Sequence, residues 1–468
     1  MRNFFKSFKN EGEFYKKLFW VTVPIVLQSF IASSINMLDT LMIGKVGEVE
    51  LASVGIANQF YFLFSLAIFG ISAGAGVFTA QLWGKKDEVN IRKTLGLGLS
   101  IGGVVALVFT LVALFFPREI ISIFNKEKNV IESGSSYLII AAFSYIFTMI
   151  SFSYAAVLRS IGNASLPMWS SFGALVINGI LNYALIFGNF GFQPMGVKGA
   201  ALATLVARAV EALLIVLIAT WKEKTLRGKI SDFMGAEKSL KEGVYSTAMP
   251  IIITDICWGL GNVAYAVVYG RIGTGATAAV QICSTVLNFF FIAVYGLACS
   301  AVVIVGNEIG AGREKEGMQA AGRISGLTLL IGGFMALILS ISAPHILKLF
   351  TVSEGVRDSA VNILYVYSLL MIPRVYTVIL IVGILRGGGD NKYGSIIQGI
   401  TLWGIGIPLA FIGAFYFKLP VYYVIALTAI EELIKCFLLT RRYRSGKWIN
   451  NMVENLEPSS DQVAVSLN

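Results

Sequence analysis

Twelve apolar runs, starting near residues 18, 51, 94, 135, 166, 197, 244, 277, 323, 359, 394 and 420, constrain this chain more than any other feature. Charged or Gly/Pro-rich breaks separate them. Crossing ~30 Å of hydrocarbon takes about 20 residues of helix, and each run is long enough to do so. With 56% hydrophobic and only 14% charged residues in 468, the chain carries more apolar surface than a water-soluble fold could bury. The expected fold class is an all-α integral membrane protein with twelve transmembrane helices.

Orientation follows from where the cations fall. With both termini on one side, the loops and tails of that side hold 25 of the 37 Lys and Arg, the opposite loops hold 9, and the spans hold 3, namely Arg208, Arg374 and Lys435. Both termini are therefore expected in the cytoplasm, with the protein in the plasma or inner membrane. The segment "MRNFFKSFKNEGEFYKK" is basic and amphipathic, and no small-residue cleavage site follows the first apolar run. It reads as an arm, residues 1–17, lying along the membrane surface. The net charge of +10 is then a topology signal plus attraction to anionic lipid, so no nucleic-acid partner is expected. The four cysteines lie in spans without a CxxC, and the one histidine, His345, stands at a span end. Neither a metal, a redox cofactor nor an enzyme active site has much to build from.

The chain also repeats itself. "PIVLQSFIASSINMLDTLMIGKVGEVELASVG" from Pro24 aligns without gaps on "PIIITDICWGLGNVAYAVVYGRIGTGATAAVQ" from Pro250, an offset of 226. Gly44 faces Gly270, Lys45 faces Arg271 and Gly47 faces Gly273. Beyond the next loop the offset is 227, pairing Pro117 with Pro344 and "LRSIGN" from Leu158 with "LRGGGD" from Leu385. Six spans in each copy keep both in the same orientation, so the copies are parallel repeats. The expected organisation is an N-lobe at 18–220, a cytoplasmic linker at 221–243, a C-lobe at 244–440 and a cytoplasmic tail at 441–468. Two such lobes are expected around a central cleft, with access alternating between the two sides of the membrane.

Against this background the aspartate in "INMLDTLMIGKVG" stands out. A charge near the bilayer centre costs at least about 2.5 kcal/mol, so Asp39 is a functional candidate. Asn36, one turn earlier on the same helix face, is a possible local partner. On the fifth span Asn178 and Asn182 stand four apart and share a face. Their amide oxygens suit a carboxyl or a sodium ion. Thr204 adds a hydroxyl at the start of the sixth span, and Tyr137 or Tyr145 is placed to close the cluster.

Pro24 fifteen residues before Asp39, the "DTLMIGKVGEVELASVGIANQ" continuation, "LRSIGN" with "LRGGGDN", and "GVKGAALATLVAR" together resemble the MATE family of multidrug and toxic compound extrusion transporters. The resemblance covers the whole chain except the tails. It implies a V-shaped pair of six-helix lobes that exports organic cations or other amphipathic compounds in exchange for H+ or Na+, with no other cofactor, working as a monomer in the lipid bilayer. It also implies that Asp39, Asn178, Asn182 and Thr204 form the cation-coupling cluster. Many members carry a second acid where this chain has Asn182, a difference that weakens a sodium site and favours protonation of Asp39. Pro24 is expected to kink the first helix when Asp39 changes state.

In the second repeat the residue facing Asp39 is Tyr265. Asp255 is that lobe's intramembrane acid near its start, expected either to pair with Arg374 or to attract a cationic substrate. Aromatics including Phe60, Tyr61, Trp258, Tyr265, Phe291 and Tyr295 are expected to line the cleft and stack on bulky cations. Glu211 is placed to pair with Arg208, and Glu431 with Lys435, while Glu432 has no assigned partner. The rival function is a lipid-linked oligosaccharide or phospholipid flippase of the same broad superfamily, which would need more intramembrane cations than Arg208, Arg374 and Lys435.

Overall fold

Uninterrupted runs of Leu, Ile, Val, Ala and Phe produce long helices, and breaks such as "GKKDE" end them. The computed structural model describes residues 2–348, 350, 352–454 and 456. The distal part of the tail, and the side chains of residues 2–10 on which the reading of the N-terminal arm rests, lie outside what is described. The helices are α1 (Arg2–Gly44), α2 (Glu48–Lys85), α3 (Glu88–Phe115), α4 (Pro117–Phe124), α5 (Lys128–Ala142), α6 (Ser144–Ser160), α7 (Ser165–Phe187) and α8 (Val197–Lys222). They are followed by α9 (Lys238–Ile272), α10 (Thr274–Gly310), α11 (Glu314–Leu347), α12 (Glu354–Val378), α13 (Asn391–Thr401), α14 (Ile407–Phe411) and α15 (Val421–Arg444).

Among the described residues, ten continuous helical segments are each long and apolar enough to span a membrane, and α5 with α6, bent by 47° at their junction, makes an eleventh. The twelfth is α15, 24 residues long, whose apolar run is interrupted by Glu431, Glu432 and Lys435. The bend has a cause. Ser144 Oγ donates to the Ala141 carbonyl at 2.6 Å and Thr110 Oγ1 donates to that of Ala142 at 3.1 Å, so hydroxyls take carbonyls that the helix would otherwise use. At the "GKKDE" break, Lys86 adopts the left-handed conformation and Asp87 caps α3 by accepting from Asn90 N at 3.1 Å.

The described residues divide into two compact units, one up to residue 252 and one from 253 to 454. In the first, α2 packs on α3, α5 and α6, while α8 packs on α5, α6 and α7, and α1 lies against α7. Phe64, Ile68, Leu138 and Tyr145 fill its core. The division falls inside α9 rather than at its start. Gly74 lets α2 meet the backbone of Ala248, where a Cβ would lie 2.5 Å from the Ala248 Cα.

The stretch read as a linker forms two short 3-10 turns, Lys224–Leu226 and Ile230–Phe233, that pack against α3. Arg92 Nη1 donates to the Thr225 carbonyl at 3.2 Å, and a Cβ on Gly96 would lie 1.7 Å from the Phe233 carbonyl oxygen. Gly96→Ala must therefore lift this segment off α3. The expected result is faster tryptic cleavage at Arg227 or Lys229 than in the parent; equal cleavage rates would show that the segment is not held there.

In the second unit α10 packs on α11 and α12, and α12 and α13 pack on α15. Three π-helical stretches interrupt its helices, Ile379–Leu385, Leu402–Gly406 and Ile412–Tyr416. The glycines of "LRGGGD" serve packing. Gly388 leaves room for the fully buried Trp448, whose ring would be 2.3 Å from a Cβ there, and Gly389 has φ +84°. Part of the expected tail thus folds back as a plug on this turn, with Asn450 N donating to the Gly388 carbonyl at 2.7 Å.

Candidate coupling site

Three helices of the first unit bring the predicted cluster together. Asp39, on α1, is only 8% exposed. Asn182, on α7, donates from Nδ2 to Asp39 Oδ1 and also to Asn178 Oδ1 at 3.1 Å. Thr204, on α8, donates to Asp39 Oδ2 at 3.4 Å. Asn178 and Asn182 are fully buried, so the four-residue spacing read from the sequence does put both on one inward face. Asn36 is exposed; the donors to Asp39 come from α7 and α8 instead.

Asp39 and Thr204 face a cavity of about 320 Å³, lined by α1, α2, α5, α6 and α8. Tyr137, Tyr145, Tyr61 and Arg208 also line it. Both candidate tyrosines are therefore present, Tyr137 from α5 and Tyr145 from the start of α6. Tyr145 stacks on Phe64 with ring centroids 4.6 Å apart, and its hydroxyl has no hydrogen-bond partner among the described residues. Phe60 and Tyr61 pack against the same ring, so these aromatics belong to the wall behind Asp39.

Arg208 was read only as a structural partner of Glu211. That pairing exists, at 2.8 Å, and Ser171 Oγ donates to the other Glu211 oxygen at 2.6 Å, with Gln28 Nε2 donating to Ser171 at 3.3 Å. The cavity shows what sequence reasoning missed: Arg208 also faces the Asp39 site. The signal was its position one turn after Thr204 on the same helix face.

The second unit departs from expectation at Asp255. Its partner is Arg386, with Nη2 3.4 Å from Oδ1, and not Arg374. Arg386 was counted as a loop cation, yet it is 4% exposed at the inner end of the "LRGGGD" turn. Arg374 instead lies over the Tyr367 ring at 4.6 Å and the Phe291 ring at 5.3 Å. Tyr265 is tied down as well, its hydroxyl donating to Glu431 Oε2 at 2.9 Å. Lys435 Nζ lies 2.6 Å from Glu431 Oε1, as expected, and 3.2 Å from Glu432 Oε2, which supplies the partner that Glu432 lacked. Thr377 donates to the other Glu432 oxygen.

Asp39 is thus a buried carboxylate held by an amide and a hydroxyl at the wall of a cavity, and comparison with known proteins decides its lineage. The MatE family profile matches residues 24–184 and 250–412. The chain belongs to the MatE family. The two matched stretches open at Pro24 and Pro250, the same two prolines that stand at the repeat offset. This MatE chain is 27% identical over 413 residues to the probable multidrug resistance protein NorM of Agrobacterium fabrum, covering 86% of this chain and 87% of that one. It is 25% identical over 448 residues to the probable multidrug resistance protein NorM of Thermotoga maritima, covering 93% of each. Its fold is similar to that of a MATE crystal structure in the bent conformation, with TM-score 0.84 at 16% identity over 93% of this chain and 96% of that one. The all-α, multi-pass membrane architecture read from the sequence is the MatE fold, and its relatives are transporters.

Proposed function

We propose that the protein is a secondary active multidrug exporter that moves amphipathic or cationic small molecules out of the cell by antiport, with protons entering through Asp39. The observation that carries this reading is the buried Asp39 carboxylate, hydrogen-bonded by Asn182 and Thr204 at the wall of a cavity. The relatives named as multidrug resistance proteins supply the substrate class. The cytoplasmic placement of both termini, the plasma or inner membrane location and function as a monomer remain part of this proposal.

Protons fit the cluster better than sodium for two reasons. Asn182 turns its N–H and not its oxygen to Asp39, and the Asn178 oxygen accepts from Asn182, so the amide against the carboxylate is set as a donor to an anion. Arg208 adds a positive charge beside the site, and the uncharged Asn182 stands where many family members have a second acid. Once Asp39 takes a proton, its O–H can donate to Asn182 Oδ1, which has no partner, and the amide must turn to receive it. That change on α1 lies beyond Pro24, which removes the bond to the Trp20 carbonyl and gives the helix a place to bend.

Asn182→Asp should restore the second acid and make the site a sodium binder. The expected outcome is that NaCl, but not choline chloride, raises the thermal unfolding midpoint of the variant while the parent responds equally to both salts. A parent that is already stabilised by sodium alone would count against proton entry.

A further inference from the structure

Two hydrogen bonds tie α1 to α7, one between Asp39 and Asn182 and one between Gln28 and Ser171, and in each the partners are 143 residues apart in the chain. The two helices therefore run parallel in one register. On each helix the two bonds are 11 residues apart, close to three turns, so both lie on the stripe along which α1 and α7 touch. The α8 helix backs both of them. Thr204 donates to Asp39, and Glu211, two turns further along the same face, accepts from Ser171 at 2.6 Å.

The bond at Gln28 sits where α1 can bend. Gln28 is four residues past Pro24, in the first turn beyond the missing backbone bond, and in that turn Ser29 Oγ also donates to the Ile25 carbonyl at 3.0 Å. Gln28 Nε2 pins the turn to Ser171 at 3.3 Å. Ser171 passes the contact on to Glu211, a buried carboxylate whose cation, Arg208, also lines the cavity at Asp39. One guanidinium thus serves both levels. The second repeat keeps the bond near its proline and drops the other: Tyr265 and Leu409 stand where Asp39 and Asn182 do, at the offsets of 226 and 227. Thr254, which faces Gln28 and stands four residues past Pro250, donates to Ser395 of α13. Ser395 donates in turn to the Asn391 carbonyl at 2.8 Å, where Ser171 donates to an acid.

We propose that Gln28, Ser171 and Glu211 form a latch that holds α1 straight beyond Pro24 and opens when Asp39 takes up its proton, which makes these three positioning residues for coupling. This rests on the proposed antiport reading, in which Asp39 is the proton site. A bend at Pro24 swings every residue beyond it, so the bond at Gln28 has to break along with the one at Asp39. A neutral Asp39 leaves Arg208 to Glu211 alone, and a carboxylate whose charge is more fully matched draws less on the Ser171 hydroxyl. The titratable and charged groups around Asp39 are Tyr61 of α2, Tyr137 of α5, Tyr145 of α6 and Arg208 of α8, and Asp39 is the one acid among the described residues that line the cavity.

The test uses the full chain in proteoliposomes, with its four cysteines replaced by alanine and spin labels attached through Leu41→Cys on α1 and Ile180→Cys on α7, both exposed positions. Label separation is followed from mildly alkaline to mildly acidic pH. A bent population should grow with acidity in the parent, and Asp39→Asn should hold it at every pH. Gln28→Leu opens the latch from α1, and Ser171→Ala opens it from α7. Losing one such hydrogen bond should change the ratio of bent to straight about three- to tenfold, so each variant should raise the bending midpoint by roughly 0.5–1 pH unit. The double variant should move it no further than either change alone, since both break one chain of contacts. Gln28 is only partly buried, so Gln28→Leu decides the matter by itself if Ser171→Ala does not fold. A midpoint equal to the parent's in either folded variant, a double shift equal to the sum of the two, or a parent whose label separation ignores pH overturns the latch. Ethidium accumulation under a pH gradient, measured on the same preparations, separates the two readings. If the parent accumulates and Asp39→Asn does not, the antiport reading stands and only this inference falls; if Asp39→Asn accumulates as the parent does, both fall.

Discussion

Asp39→Asn should lower the steady-state substrate ratio across a membrane about tenfold for each unit of imposed pH gradient. One proton moving down one pH unit supplies about 1.4 kcal/mol, equal to a factor of ten in concentration, and the variant can no longer carry that proton. Asparagine keeps the size of the side chain and can still accept from Thr204 and exchange hydrogen bonds with Asn182, so folding should be unaffected. The check is ethidium accumulation at matched protein density, with the thermal unfolding midpoint measured on the same preparation. An unchanged ratio would remove Asp39 from coupling, and a collapsed midpoint would make it a structural residue instead.

Lys435→Met should be among the most destabilising single changes in the molecule. Lys435 is 7% exposed and touches both Glu431, which is buried, and Glu432, which is partly buried, so its loss leaves two carboxylates in a largely desolvated site without a cation. Breaking a buried ion pair by removing one partner costs on the order of 3–5 kcal/mol. The expected result is a large drop in thermal midpoint at neutral pH, partly recovered in acid as the two carboxylates take up protons. Lys238→Met is the control, since its ion pair with Glu242 lies in water and its removal should leave the midpoint where it was. A Lys435→Met protein as stable as the control would mean that the α15 charges are solvated and not buried.

The helices were legible because their determinants are local. Run length and apolarity placed all twelve, and the repeated Pro24 and Pro250 marked the duplication. The bend between α5 and α6 was not legible, because it depends on Thr110 of α3 reaching the Ala142 carbonyl. The Asp39 cluster was readable in part: spacing put Asn178 and Asn182 on one face, but only packing shows that Asn182 donates to the acid. Arg386 misled the reading since its sequence context, beside three glycines, looks like a surface turn. Its partner inside the unit is Asp255, 131 residues earlier. Glu431 had been matched to Lys435 by spacing alone, which hid its bond to Tyr265, 166 residues away. Helical neighbours can be counted along a sequence, whereas partners on different helices depend on how those helices pack.

The central claim is that proton entry through Asp39 drives export. The most direct measurement is ethidium transport by the parent protein in sodium-free proteoliposomes under an imposed pH gradient, compared with a sodium gradient at equal pH. Accumulation under the pH gradient, lost on collapsing it with an ionophore and reduced in Asp39→Asn, is the predicted result. Accumulation under the sodium gradient alone, with none under the pH gradient, would contradict it.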